Sequence, residues 1–504
     1  MSEFKASAGK WIPYAALLLA AALRFAGIFG ELQYDEIWTI ANFMQLDTGR
    51  ILTDLALPNN HPVNTIILKL LNSISEETSV LRLGVCAGGI AVTILIGRIT
   101  ALITDEKISS GAAMLLAAVS PALILYSVTA RGYIFQVAGL LLMVYALILH
   151  AQKNKARGIV LMTVSGGILA CLAVPSGVMF IPLIFAGSCW LAPAERRFER
   201  KILISAALLT VFILSYYLPL YHQLRAGQQW GIAIDSLAQW LRFAIKTLAA
   251  QLPPFTALLV LSGVILIPAM RKVFLLTLFP VIFAVITKGG PERVYLILTA
   301  VYIIIAANGF SALLKRFADR KILPVLFLIG CTVNGLAIPD CWKLPAYSRD
   351  LQRALVNTSE TVVPVLPGAA GFPVTVNAPQ LAKQLEMRAA MPLSHILMLH
   401  TPAGKLNGAD AGNSETELPI PFHGIYSKES DGILYGLTPV AMPEKNDELL
   451  LAVIPGNPPP GFSEGKLRLN LWLNRGFQLY ICRSKEIYQF YFEGAKYYRI
   501  GEAK

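Results

Sequence analysis

Residues 80–103 read VLRLGVCAGGIAVTILIGRITALI, and residues 132–150 read GYIFQVAGLLLMVYALILH. A helix that crosses a bilayer needs about 20 mostly apolar residues, and both runs meet that length. Nine further stretches have the same character, several of them shorter: 11–29, 108–126, 158–174, 176–193, 202–220, 253–270, 273–288, 294–313 and 322–338. Eleven spans are expected on this count, with a hairpin turn near Pro175 joining the fifth to the sixth. Composition agrees with the runs: 55% of the 504 residues are hydrophobic, 15% are charged, and mean hydropathy is +0.58. A soluble domain is roughly 45–50% apolar and about 25% charged. A disordered chain is excluded, and an ordinary soluble enzyme is argued against. Six cysteines are far too few for a disulfide scaffold.

The net charge of +12 comes from 43 basic and 31 acidic residues. Residues 340–504 hold 16 of each, so the first 339 residues carry the whole excess. Positive charge confined to the hydrophobic part is the pattern left by retaining Lys and Arg in cytoplasmic loops. Lys5, Lys10, Lys107, Lys153, Lys155, Arg157, Arg196, Arg197, Arg200, Lys201, Arg271, Lys272, Lys315, Arg316, Arg320 and Lys321 all fall on one side. This alternation puts the N-terminus in the cytoplasm and the C-terminal segment outside. No RNA-binding motif, zinc-ligand spacing or basic tail accompanies the charge, so nucleic acid is not an expected partner. Lys5 and Lys10 before an apolar run imitate a signal peptide, but no small-x-small cleavage site follows, and the first span reads as a retained helix.

Two domains are expected. Residues 1–339 form a membrane domain whose outer segments, 30–79 and 221–252, carry interfacial helices. Residues 340–504 form a polar extracytoplasmic domain of α/β or α+β type. Its strand-like runs lie at 361–366, 396–399 and 449–454, with a helix near 378–390.

The candidate chemistry gathers on the outer side. Asp35 and Glu36 follow the first helix in Glu31-Leu32-Gln33-Tyr34-Asp35-Glu36-Ile37-Trp38. They read either as an interfacial cap or as carboxylates partly desolvated by apolar neighbours, which raises basicity. His61, in Asn59-Asn60-His61-Pro62, reads either as a solvated turn histidine or as a sugar-binding or orienting group. Asp35, Glu36 and His61 have no recognisable metal-ligand spacing. Arg131 lies in Tyr126-Ser127-Val128-Thr129-Ala130-Arg131-Gly132-Tyr133, and Lys288 and Arg293 lie in Thr287-Lys288-Gly289-Gly290-Pro291-Glu292-Arg293-Val294-Tyr295. Snorkelling is the plain reading of each cation. Several outer cations facing an acidic pair suit a phosphate instead, with arginine giving bidentate contacts. His222 and Asp235 read as solvated surface. Cys86, Cys171, Cys189 and Cys331 read as small hydrophobes within spans. Cys341 and Cys482 share the outer domain, where pairing is left open.

An acidic pair after the first helix, a His-Pro turn, a Tyr-Ser-x-x-Ala-Arg-x-Tyr loop and a late Glu-Arg-x-Tyr loop together resemble the GT-C superfamily of glycosyltransferases. The likeness covers roughly residues 10–340, and the branch it resembles is that of protein O-mannosyltransferases and aminoarabinose transferases. Val63 stands where the family often has a second proline, and Leu296-Ile297-Leu298 where it has a Leu-Pro run. The resemblance implies an inverting transferase working in a bacterial inner membrane, with a polyprenyl-phosphate sugar as donor and a lipid, lipid A, glycan or protein as acceptor. It implies Asp35 as general base and Glu36 as the residue that tunes or orients it. Arg131, Arg293 and Lys288 would bind the donor phosphate, and His61, Tyr133 and Tyr295 the rest of the substrate. No cofactor and no divalent metal are expected. The alternative is a lipid-linked sugar flippase or transporter, which would place ionisable residues at mid-membrane and show related halves. The interesting charges here sit at one face, and no repeat is visible. A polytopic anchor whose tail binds a partner would leave those charges without a role.

Overall fold

The computed structural model describes residues 2–55, 59–104, 107–152, 158–227, 236–286, 292–317, 320, 322–338, 342, 362–364, 377–381, 383–384, 435–440, 450–455, 477–482 and 496–502. The chain divides into two compact units, one of Met1–Gly30 with Trp38–Lys343 and one of Glu31–Ile37 with Leu344–Lys504. The short segment Glu31–Ile37 thus groups with the C-terminal residues.

The first unit is helical. Its first long helix is α1 (Ser2–Gly27), followed by α2 (Tyr34–Asn42), α3 (Thr48–Thr53), α4 (Pro62–Asn72) and α5 (Thr78–Leu81). The unit boundary falls inside α2. Then come α6 (Leu83–Thr104), α7 (Lys107–Ala118), α8 (Pro121–Leu125), α9 (Tyr133–Ala151), α10 (Ile159–Ala173) and α11 (Gly177–Leu191). The last group is α12 (Arg200–Tyr217), α13 (Tyr221–Gly227), α14 (Leu237–Gln251), α15 (Pro254–Leu266), α16 (Pro268–Ile286), α17 (Ile297–Arg316) and α18 (Ile322–Gly335). Among the described residues, four helical stretches are long and apolar enough to cross a membrane: Thr78–Thr104, Tyr133–Ala151, Arg200–Tyr217 and Ile297–Arg316. A fifth is added if α14 and α15, bent by 97° at their junction, count together. The protein is therefore a multi-pass membrane protein by its helices, although most of the eleven expected stretches are shorter than a straight span.

Local chemistry explains several breaks. The stretch 108–126 splits because Ser120 caps α8, accepting from the Leu123 amide at 3.5 Å, with Pro121 as the first helical residue. Proline at that position lacks only an amide hydrogen that the helix would not use. The stretch 253–270 ends at Ile267, which is extended ahead of Pro268, and a residue before proline is biased away from the helical region. The turn near Pro175 is where the reading placed it, between α10 and α11. Segment 30–79 does hold short helices, but α4 buries Pro62, Asn64, Thr65 and Leu68.

Two helices, α9 and α17, form the buried centre, with 72% and 78% of their apolar windows inside the protein. Here α9 lies directly against α10. A Cβ on Gly139 would stand 2.5 Å from the Gly166 carbonyl oxygen, and one on Gly166 would stand 2.6 Å from the Gly139 oxygen. Backbones approach this closely only where both residues are small, which is the usual means of tightening helix pairs in membranes.

The buried cations Arg24 and Arg82 bond mainly to backbone carbonyls, several of them at helix ends. Arg24, fully buried in α1, donates to Ser127 Oγ at 3.2 Å, to Ala20 O at 3.1 Å and to Ala117 O, near the end of α7, at 3.3 Å. Arg82, also fully buried, donates to Ile28 O at 3.2 Å and Gly30 O at 2.7 Å, just past the end of α1. Cations stabilise helix C-termini in this way. Cys86, Cys171 and Cys331 are buried free thiols, as expected, and Cys189 is partly buried.

In the second unit, β1 (Val362–Pro364), β2 (Tyr435–Val440), β3 (Leu450–Pro455), β4 (Phe477–Cys482) and β5 (Lys496–Glu502) pair in the order β1-β4-β3-β5-β2. Every pairing among these strands is antiparallel. The runs 361–366 and 449–454 hold β1 and most of β3, and the backbone is helical at 379–381. The run 396–399 and Cys341 lie outside the described residues.

The α9–α10 contact yields a direct test. Gly139→Val must push the two backbones apart, and overpacking typically costs about 1–3 kcal/mol. A lower melting temperature in detergent is expected. An unchanged one would mean that the pair slides freely and does not set the register of its ends.

Candidate functional site

Tyr133 opens α9, and four side chains meet its ring. The chain enters through a buried loop shaped by its own short bonds: Thr129 Oγ1 donates to Leu125 O at 2.9 Å, and the Arg131 amide donates to Thr129 O at 2.7 Å. Gly132 follows, with no room for a side chain. A Cβ there would lie 2.3 Å from Ala173 O and 2.8 Å from His61 Cβ. The end of α10, the His61 turn and the start of α9 are thus packed backbone to backbone.

His61 is buried, which removes the solvated reading. Its Nδ1 lies 3.0 Å from Ala173 O. A carbonyl can only accept, so Nδ1 carries the hydrogen, and in the neutral ring Nε2 is the acceptor. The imidazole meets the Tyr133 ring edge-to-face, with centroids 5.1 Å apart, and Tyr126 meets the same ring at 5.4 Å. Asn64 helps to hold the turn, donating from Nδ2 to Ala130 O at 2.7 Å.

The two arginines converge on the same phenol. Arg131, 4% exposed, donates from Nη2 to Asn59 Oδ1, and its guanidinium carbon lies 5.2 Å from the Tyr133 ring centre. Arg293 donates from Nε to the Tyr133 hydroxyl at 2.9 Å, with its guanidinium carbon 5.8 Å from the ring centre. A guanidinium over an aromatic face within about 6 Å is attracted by the ring's negative face. Asn59 reaches Arg131 from a left-handed backbone, φ 78°, which asparagine tolerates better than most residues. Its carbonyl accepts from Thr39 Oγ1 at 2.9 Å.

Arg293 sits in a 3-10 turn, Glu292–Tyr295, seated on α14. Gln251 Nε2 donates to Glu292 O at 3.0 Å, and Lys246 pairs with the Glu292 carboxylate. Burial alone would raise that carboxyl, but the bonds from Lys246 and from its own backbone, with the Lys246 and Arg293 charges, hold it below the ordinary value. The acid next to Arg293 in sequence is therefore engaged by a lysine. Tyr295 reads as a packing residue: it is fully buried, with Phe180 and Phe243 edge-on at 6.4 and 5.7 Å. Lys288 lies outside the described residues, as does Asp235, and His222 is exposed as expected.

Asp35 and Glu36 stand in the first turn of α2 and have different roles. Glu36 is fully buried, and its Oε2 accepts the Gln33 amide at 2.8 Å. A glutamate at the third helical position reaching back to the cap amide is one half of a capping box. Glu36 thus helps to hold the helix turn on which Asp35 stands. Asp35 is half-buried. One residue ahead of the cap, Leu32 is bonded twice by Asn377: its amide donates to Oδ1 at 3.3 Å and its carbonyl accepts from Nδ2 at 3.2 Å. Among the described residues, no three His, Cys, Asp or Glu side chains gather as ligands of a metal ion would.

Sequence reading missed Arg24, Arg82, Asn59, Lys246 and Asn377. Arg24 carried a legible signal, a cation inside an apolar run. Asn377 carried none, because nothing local marks a residue whose partner is 345 positions away.

No protein-family model matches the chain, and no curated protein matches it. Among solved structures the chain is similar to the oligosaccharyltransferase of Archaeoglobus fulgidus in the apo form. That likeness has 12% identity, covers 71% of this chain and 59% of that one, and has a TM-score of 0.48. It is also similar to ArnT from Cupriavidus metallidurans in the apo state, with 13% identity over 76% of this chain and 73% of that one and a TM-score of 0.46. A structure of ArnT from Cupriavidus metallidurans bound to undecaprenyl phosphate gives 12% identity, coverage of 74% and 72%, and a TM-score of 0.44. The chain spans 59% of the length of the archaeal enzyme. The solved structures to which it is similar thus include an oligosaccharyltransferase and ArnT.

The Glu292–Lys246 pair makes a pH prediction. A carboxyl held below its ordinary value of 4.5 contributes stability above that value and loses it as pH falls through the folded one. Lys246 is 75% exposed, so the effect is under about 1 kcal/mol. Lys246→Met should melt slightly below wild type at neutral pH and converge with it on acidification. Parallel melting curves across the range would remove the pair from the site's supports.

Proposed function

We propose that the chain is an inverting glycosyltransferase of a bacterial inner membrane. It moves a sugar from a polyprenyl-phosphate donor to a lipid, lipid A, glycan or protein acceptor on the outer face. The observation that carries this reading is the convergence of Arg131 and Arg293 on Tyr133. Two guanidinium groups from parts of the chain far apart in sequence are held against one ring, which gathers positive charge where an anion would be stabilised. A planar guanidinium that can bond in bidentate fashion suits a phosphate. The Tyr133 ring and hydroxyl hold both in place, and pairing of Glu292 with Lys246 keeps the neighbouring carboxylate engaged elsewhere.

In the proposed reaction the Asp35 carboxylate accepts the proton of an acceptor hydroxyl as that oxygen attacks the anomeric carbon. The bond from that carbon to the donor phosphate breaks, and its electron pair leaves with the polyprenyl phosphate. Attack opposite the leaving group inverts the centre. Arg131 and Arg293, with Lys288, neutralise the charge that grows on the departing phosphate. His61, fixed by Ala173 and Tyr133, offers its Nε2 to a sugar hydroxyl. No step is routed through a metal. In this reading the apolar stretches make eleven passes, with the N-terminus cytoplasmic and the 340–504 domain periplasmic.

The test uses the purified full chain, a panel of polyprenyl-phosphate sugars and a crude lipid extract. Mass spectrometry would follow free polyprenyl phosphate and the glycosylated product. Wild type should release polyprenyl phosphate from one donor, and Asp35→Asn should abolish release. Arg293→Ala or Arg131→Ala should lower turnover by about 10²–10³, the usual loss for an electrostatic stabiliser of developing charge. Equal turnover in wild type and Asp35→Asn would keep the class and remove the base. Transport of an intact lipid-linked sugar with no bond cleaved would overturn the class.

A further inference from the structure

The two residues just ahead of the helix that carries Asp35, Leu32 and Gln33, have both their backbone amides and both their carbonyls hydrogen-bonded. Gln33 is the residue before α2. Its carbonyl accepts from the Glu36 and Ile37 amides, each at 3.0 Å, and its amide donates to Glu36 Oε2. Leu32 is too early to bond within the helix, yet both its amide and its carbonyl are satisfied by one side chain, Asn377. The Leu32 side chain is itself buried. From Asn377 toward Asp35 the path therefore runs through a two-point clamp on Leu32 and the capped Gln33, whose backbone groups are all hydrogen-bonded.

We propose that Asn377 is a positioning residue for Asp35, clamping the Leu32 backbone through both ends of its amide so that the first turn of α2 presents the carboxylate in one place. The inference rests on the reading of Asp35 as the base and adds to it a role for the C-terminal unit, which supplies the clamp. The chemistry is specific to an amide. Aspartate can accept from the Leu32 amide but has no hydrogen for its carbonyl when ionised, and leucine can do neither. An unclamped Leu32 would leave a buried carbonyl and amide without partners, which a chain relieves by moving. Displacing a reacting group by about 1 Å can cost on the order of 100-fold in rate.

The full chain in detergent is compared as wild type, Asn377→Leu, Asn377→Asp, Asp35→Asn and the double variant Asp35→Asn/Asn377→Leu. Amide hydrogen exchange over residues 31–37 gives a readout independent of activity. Binding of undecaprenyl phosphate tests the phosphate site, and turnover uses the donor identified above. In wild type the Leu32 and Gln33 amides should be protected. Asn377→Leu should expose them and lower kcat by about 10–100-fold, with KM and undecaprenyl phosphate binding unchanged. Asn377→Asp should fall between the two and serves if the leucine variant does not fold. The double variant should be no slower than Asp35→Asn alone. If Asp35→Asn is inactive while Asn377→Leu keeps the wild-type kcat or the wild-type exchange at Leu32, the base stands and the positioning role is overturned. Equal loss in KM and phosphate binding would likewise overturn it in favour of a general structural role. If Asp35→Asn turns over like wild type, the base assignment itself fails and takes this inference with it, whatever the exchange shows.

Discussion

The backbone contact between Gly139 and Gly166 sets where the site can be. It locks the register of α9 against α10, so the first residue of one helix and the last of the other end at the same level. Gly132 then packs on Ala173 O, His61 bonds the same carbonyl, and its ring lies against Tyr133. A side chain at either glycine of the helix pair would shift these ends relative to each other. His61 could then reach Ala173 or Tyr133, but not both.

The buried arginines show how burial sorts a cation's role. Arg24 and Arg82 are fully buried and directed at the carbonyls that α1 and α7 leave unpaired near their ends. That arrangement satisfies a helix terminus and the cation at once, and it is structural. Arg131 and Arg293 are directed at an aromatic ring, with one side-chain oxygen each from Asn59 and Tyr133. An aromatic face attracts a cation through its negative quadrupole, so both guanidinium groups are held over the one ring.

The acidic pair illustrates a similar division. Two adjacent carboxylates look interchangeable in sequence, but the helical turn gives them different neighbours. Glu36 folds back on the cap amide, while Asp35 keeps partial exposure. The first turn of a helix also favours negative charge, because its amides point toward it. One acid therefore builds the turn on which the other stands.

Sequence alone determined the class of molecule, because the cost of burying polar groups in a bilayer leaves a plain record in apolar runs and in the sidedness of Lys and Arg. It also singled out Asp35, His61, Arg131 and Arg293, since charge beside an apolar run is conspicuous. The helix breaks at Pro121 and Pro268 were equally local and could have been taken from the residues. Only the tertiary structure decided that Tyr133 is the hub on which His61 and Arg293 meet and that Asn377 holds Leu32. Those roles depend on partners dozens to hundreds of residues away, and packing rather than local composition chooses such partners.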